Sequence, residues 1–451
     1  MRSIRIGAGA GFAGDRIEPA LELLREGALD YICFECLAER TIAMAQQRLA
    51  VDPDQGYDTK LAKRMETFLP EAWKQKVKII SNMGAANVPA AVRKTQEIAK
   101  RLGLVGLKIV GIEGDNVFDK LGRYADSELM ETGKRLSTLN NIVAANAYIG
   151  CEAIVSALKM GADVILTGRS SDPALFMAPV VYEFGWEMDD YDKLGKAVAV
   201  GHLLECSNQV SGGNYAYAEY REVDRLWDIG FPFADVFEDG NAVISKLEGT
   251  GGLISVNTCT EQIIYEVHDP ARYITPDCIA DFSNIKFEEI SENTVGVSGA
   301  TGRAKTDTLK VSVGYEEGFV GGAGLSYGGP KCFERAALSA EIIEKIIQKH
   351  YAAYVDEYKI DIIGYNSLFP RDLSLGYQEG YQPMEVRVRV AVKAKDPETI
   401  SAISDEVDSL TIGGPANGGG LTREVKPMVS VLSLLIPREE IDISFIEKEV
   451  S

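Results

Sequence analysis

The sequence predicts an α/β protein: an N-terminal, mostly parallel, Rossmann-like sheet with flanking helices, followed by a C-terminal α+β domain of ferredoxin-like βαββαβ order. Three observations carry this. Short apolar, β-prone runs alternate with helical patterns as far as Pro173, which calls for a parallel sheet covered by helices. The ends of those runs carry glycine and polar clusters, where a parallel sheet keeps its ligand crevice. From about residue 308 the succession becomes strand, helix, strand, strand, helix, strand. The two domains are expected at 1–245 and 246–451, with the site in the first.

The opening run, Ser3-Ile4-Arg5-Ile6, breaks into glycines at 7, 9, 11 and 14. Gly9, Gly11 and Gly14 fit G-x-G-x-x-G, a spacing that lets backbone amides and a helix N-terminus approach an anion. An amphipathic helix follows, with Ile17, Leu21 and Leu24 on one face and Gly27 as its stop. Leu29 to Cys36 reads as the second strand and Leu37 to Leu49 as its helix. Val77 to Ile80 leads into Ser81-Asn82-Met83-Gly84-Ala85-Ala86-Asn87 and a helix from Pro89 to Leu102. Leu107 to Ile112 ends in Glu113-Gly114-Asp115-Asn116, and a helix from Gly150 to Met160 precedes the buried strand Ala162 to Leu166. Gly201 to Gly252 reads as loops and a crossover, and Thr258-x-x-Glu261 as a capping box that starts a short helix at Gln262 to Val267.

In the second half the expected elements are strand 309–315, helix 331–351, strands 358–365 and 384–394, helix 397–410 and strand 427–436. Val386, Val388, Val390 and Val392 alternate with Arg387, Arg389, Ala391 and Lys393, the period of a half-exposed strand. Gly413 to Arg423 reads as a glycine-rich loop, either merely flexible or able to meet an anion with its amides and Arg423.

Composition narrows the function. Lys and Arg number 47 against 67 Asp and Glu, and the net charge of −20 opposes nucleic acid and anionic membrane as partners. Seven scattered cysteines fit a reducing compartment, so a cytoplasmic location is expected. Cys33 and Cys36 are formally C-x-x-C, but residues three apart in a strand face opposite sides. His202, His268 and His350 show no metal-ligand spacing.

Asn82, Glu113, Asp115, Arg169, Ser170, Ser171 and Asp172 all sit at predicted strand ends and are the candidate site residues beside the glycine turn. Arg169 suits bidentate capture of a carboxylate or phosphate, or an internal ion pair. Asp172 is either a helix cap before Pro173 or, with Glu113 and Asp115, an acid or base. The same three carboxylates are the candidates for an Mg2+ site. Asp15 would cap the first helix and stand where a pyrophosphate should lie, while Glu35 falls near the place of a ribose-binding acid.

These motifs together resemble the acyclic terpene utilisation (AtuA-like) family. The resemblance rests on Ile6-Gly7-Ala8-Gly9-Ala10-Gly11-Phe12-Ala13-Gly14-Asp15-Arg16, the Ser81–Asn87 segment, Leu166-Thr167-Gly168-Arg169-Ser170-Ser171-Asp172-Pro173-Ala174, Gly249-Thr250-Gly251-Gly252 and Gly414-Pro415-Ala416-Asn417-Gly418-Gly419-Gly420. It implies catabolism of acyclic terpenoid acids as CoA thioesters and carries over no catalytic residues. Some members have a trailing domain, which is not expected in this chain and which another subunit would then supply.

Three functions are therefore weighed. The first is a catabolic lyase, hydratase or hydrolase acting on a small carboxylate or its CoA thioester, with Gly9, Gly11, Gly14, Asn82, Arg169, Ser170, Ser171 and Arg423 binding the anion and Asp172, Glu113 or Asp115 moving the proton. The second is an NAD(P)-dependent oxidoreductase using the glycine turn and Glu35. The third is a noncatalytic subunit of an acyl-CoA enzyme complex. A homo-oligomer is expected in each case.

Overall fold

A computed structural model describes residues 2–369 and 383–451 of the chain. They form two compact units, Met1–Gly314 with Val431–Ser451, and Tyr315–Ser430. The division falls elsewhere than the break expected at 245, and the segment expected to be loop and crossover contributes strands to the first sheet. Among the described residues, no helix is long and apolar enough to cross a membrane.

The first unit is an α/β layer structure around a ten-stranded mixed sheet. Its parallel centre is β1 (Ser3–Ala10), β2 (Tyr31–Phe34), β3 (Lys78–Ser81) and β4 (Lys108–Glu113), completed by β6 (Val164–Thr167); β5 (Ile142–Ala147) lies outside this sheet. The order β1-β2-β3-β6-β4 puts β6 between β3 and β4, with Ile79 beside Val164 and Val110 beside Ile165. Helices α1 (Glu18–Glu26), α2 (Glu39–Val51), α3 (Leu61–Gln75) and α4 (Val88–Arg101) alternate with the first strands, and α5 (Cys151–Lys159), α6 (Ala174–Phe184) and α7 (Tyr191–Glu205) follow.

Alternation along the strands divides the core between the two faces of the sheet. Tyr31, Cys33, Ile80 and Ile165 pack with α5, α6 and α7, while Ile32, Phe34, Ile79 and Leu166 pack with α1, α3 and α4. Cys33 and Cys36 belong to different cores and are both free and buried, Cys33 within β2 and Cys36 just beyond its end.

Beyond β1 the sheet turns antiparallel through β7 (Pro232–Phe237), β8 (Ala242–Lys246), β12 (Thr294–Ser298) and β11 (Lys286–Ser291). β18 (Ser444–Glu449) closes the opposite edge antiparallel to β4. A three-stranded sheet joins β9 (Tyr273–Ile274), β10 (Ile279–Asp281) and β13 (Thr301–Arg303). The short helix near 260 is α8 (Val256–Ile263), capped by Ser255 paired with Thr258. It starts earlier than expected because the hydroxyl pair at 255 and 258 takes the capping role assigned to Thr258 and Glu261.

The second unit holds a sheet of order β15-β16-β14-β17, made of β15 (Val355–Ile363), β16 (Glu385–Ala394) and parts of β14 (Thr308–Gly328) and β17 (Gly419–Pro437). Helices α9 (Cys332–Ile346) and α10 (Pro397–Gly413) pack on it. Val386, Val388, Val390 and Val392 are all buried under these helices, confirming the period of two. The glycine tract is shorter as a loop than expected, since α10 runs to Gly413 and β17 begins at Gly419.

Candidate active site

The carboxyl ends of the parallel strands open on a cavity of about 780 Å³ in the first unit, where the sequence placed a crevice. Its walls come from the turn after β1, the segment joining β2 to α2, the β6 to α6 loop, the end of α7, the β9 region and the start of β14.

Arg169 lies under this cavity, 1% exposed. One guanidinium nitrogen donates to Leu37 O, to Ser170 O at 3.0 Å and to Asp172 Oδ1 at 2.7 Å. The guanidinium carbon stands 4.2 Å from the centre of the Tyr148 ring. Those bonds tie the β6 to α6 loop to the segment after β2; among the described residues Nε is buried without a partner, and Nη2 stands 4.0 Å from Glu39 Oε1. Asp172 is its ion partner rather than a helix cap: Pro173 occupies the cap position of α6, and no side chain caps that helix.

The more accessible cation is Lys310, at the start of β14, and the sequence reading missed it. Its Nζ lies 3.4 Å from Glu39 Oε1 and 5.0 Å from the Tyr148 ring centre. Tyr148 N–H donates to Lys310 O at 2.9 Å, and its hydroxyl donates to Glu39. Burial works against the Glu39 charge, yet Arg169, Tyr148 and Lys310 bring its carboxyl down to about 2. Arg272, exposed at the cavity rim, has no side-chain ion pair among the described residues.

Glu35 behaves in the opposite way. It follows β2, is 8% exposed and lines the cavity. Asn82 Nδ2 and the Leu37 amide both donate to its Oε1, at 2.9 and 2.8 Å, leaving Oε2 to carry a proton. Burial, reinforced by the Asp172 charge, pushes this carboxyl up to about 8 despite Arg169 and those two donors. Asn82 is itself fixed, because its Oδ1 accepts from the Cys36 amide at 2.7 Å. It therefore positions Glu35 rather than touching the cavity.

Asp115 is buried behind the β6 loop, where one oxygen accepts from the Arg169 amide and from Asn146 Nδ2, both at 2.8 Å. Burial raises it to about 6, but it does not line the cavity. Glu113 ends β4 opposite Ser444, also away from the cavity, and Ser170 is fully buried. Ser171 lines the cavity. Among the described residues, no group of three or more His, Cys, Asp or Glu is arranged to hold a metal ion. Of the three carboxylates named as oxygen ligands, Asp172 lines the cavity and pairs with Arg169, whereas Glu113 and Asp115 do not line it.

The glycine turn is built for close packing. A Cβ on Gly9 would come within 2.5 Å of the Phe34 ring, and one on Gly11 within 2.5 Å of the Cys206 backbone. On Gly14 it would meet Phe12 at 2.4 Å. Asp15 closes the turn, accepting from the Gly11 amide at 2.9 Å and from the Arg16 amide at 2.8 Å. It is not the cap of α1, whose N-terminal position is Ile17. A carboxylate of the chain itself thus holds the amide that a pyrophosphate would need. Only Gly11 of the three glycines lines the cavity. Glu35 has one oxygen held by Asn82 and the Leu37 amide and lines the cavity. Arg423 belongs to the second unit, paired with Asp405 and Asp408.

The chain matches the model of a family described as acyclic terpene utilisation family protein AtuA, over residues 4–446. The chain belongs to that family. The matched span holds the whole cavity wall, so the strand-end motifs quoted above and the carboxyl pocket they build lie within the family region. No curated protein and no solved structure matches the chain.

Proposed function

We propose that this family member is a catabolic enzyme that binds a small organic acid or its CoA thioester in the cavity of the first unit and acts on it by proton transfer. The observation that carries the reading is Glu35: a buried carboxyl, held by Asn82 and Leu37 and kept protonated at neutral pH, facing the same cavity as Lys310. A protonated carboxyl beside a cation is suited to donate a proton to a bound anion or carbonyl. The cavity volume lies in the range of about 300–1,000 Å³ usual for small-molecule sites. Lyase, hydratase and hydrolase chemistry all draw on such a group.

The test is a panel of short and branched carboxylic acids and their CoA thioesters, with and without Mg2+, followed by turnover and by calorimetric binding. Binding and consumption of at least one compound is expected, with Glu35→Gln slowing consumption by about 100-fold or more while leaving affinity within a few fold. A protein that neither binds nor consumes any member of the panel would sink the proposal. We also read the second unit as ferredoxin-like, supported by its strand order, and the first as a Rossmann-like sheet extended by antiparallel strands.

A further inference from the structure

We infer that Glu205, oriented by His202, is a second acid–base group of the cavity, and that it works with Glu35 to move a proton at the carbon next to a carboxyl or thioester carbonyl. This rests on the proposed function and narrows it.

Glu205 closes α7 and lines the cavity from a wall that Glu35, after β2, does not share. It is 6% exposed. Its Oε1 is 2.6 Å from His202 Nδ1, and its Oε2 has no hydrogen-bond partner. His202 is 2% exposed and set by Tyr273 and Phe282, whose rings lie 5.0 and 6.2 Å from it. Its backbone carbonyl is fixed by Gln262 Nε2 at 2.9 Å. A carboxyl in the cavity wall with one oxygen held by His202 and the other buried without a partner among the described residues is available to take a proton from an occupant that reaches it. Leaving it unpaired without such a partner would cost stability.

Nucleophilic acyl transfer fits the same walls less well. Cys206 lines the cavity, but burial and the neighbouring Glu205 push its thiol far up, away from the thiolate. The Ser171 hydroxyl, also on the wall, has no hydrogen-bond partner and so no base beside it among the described residues.

The step balances without a further reactant. The Glu205 carboxylate takes the proton from the carbon next to the carbonyl, and the C–H electron pair forms a C=C bond. The carbonyl π pair moves onto oxygen, which takes the proton of Glu35. Glu205 ends protonated and Glu35 ionised; the reverse step restores both.

Burial drives Glu205 up to about 7, against the pull of His202 and helped by Asp172 and Glu266; Cys206 and Tyr273 also face it. His202 is raised, because the Glu205 charge and hydrogen bond outweigh the effect of its burial. With Glu35 at about 8, the reactive pair of an ionised Glu205 and a protonated Glu35 is most populated between about 7 and about 8.

The experiment uses the full-length protein with acetyl-CoA, butyryl-CoA and free butyrate in deuterated water. Binding is measured by calorimetry, and exchange of the hydrogen next to the carbonyl by mass spectrometry. Wild type should exchange at least one probe, with a bell-shaped pH profile centred between about 7 and about 8. Glu205→Gln should lose at least about 100-fold in exchange with affinity within threefold, and Glu205→Asp should recover part of it. His202→Asn should shift the lower limb of the profile. Exchange by Glu205→Gln at the wild-type rate, or binding of one or more probes by wild type with exchange of none of them, overturns the inference and leaves the acid-binding enzyme standing. If no probe binds and the wider acid and thioester panel is inert, the enzyme reading falls and takes the inference with it.

Discussion

Glu35 and Glu39, only four positions apart, end with opposite protonation because the chain gives them opposite neighbours. Glu39 opens α2 beside Arg169, Tyr148 and Lys310 and stays ionised, whereas Glu35 is buried within reach of the Asp172 charge and keeps its proton. The consequence for stability has a definite sign. The folded state holds the Glu35 proton up to about 8, while an unfolded glutamate loses it near 4.5. The native protein therefore binds more protons in that window, and its stability falls as pH rises through it. Denaturant unfolding at intervals from pH 5 to pH 8.5 should show this fall, and Glu35→Gln should flatten it; an unchanged slope would mean that Glu35 ionises normally. Lys310→Met should weaken binding of an anionic ligand by about 1.5 kcal/mol, roughly tenfold, by calorimetry. Much of this chemistry was invisible in the sequence. Lys310 and Glu205 belong to no motif, and Glu35 is recognisable as acidic only through the burial that the fold imposes. Arg169 was legible as important, but one of its nitrogens goes to Leu37, Ser170 and Asp172, partners that no spacing reveals.

At the scale of elements, the reading from sequence worked where periodicity was strong. The parallel strands and their helices, α3 apart, fall where the apolar runs placed them, because strands buried on both faces leave continuous apolar signatures. It failed between Gly201 and Gly252, where short strands β7 and β8 are interrupted by glycine-rich turns and were taken for loop. The glycine turn was located correctly, but its glycines answer to Phe34, Phe12 and the Cys206 backbone rather than to a phosphate. Gly11→Ala should accordingly destabilise the protein by about 1–3 kcal/mol, since the new methyl would press on backbone at the end of α7, which cannot rotate away. Thermal unfolding measures this; a neutral effect would show that the end of α7 can yield.

For the whole molecule, the two units carry separate cores, so a defect in one should register as its own change in unfolding. Ile403, fully buried in the core of the second unit, is a suitable probe: Ile403→Ala should cost about 2–5 kcal/mol in the transition of that unit, followed by calorimetry. The β4 edge raises a different matter, that of synthesis. β4 pairs with β18, and about three-quarters of the chain, residues 114–443 of 451, is made between them. On the ribosome the backbone groups of Lys108–Glu113 that later bond to β18 wait through translation of everything from the β5 region to β17. During that interval they form a sticky margin open to another nascent chain. Removing Ser444–Glu449 would make the interval permanent, and the truncated protein should sediment with the insoluble fraction even though its cavity walls are complete.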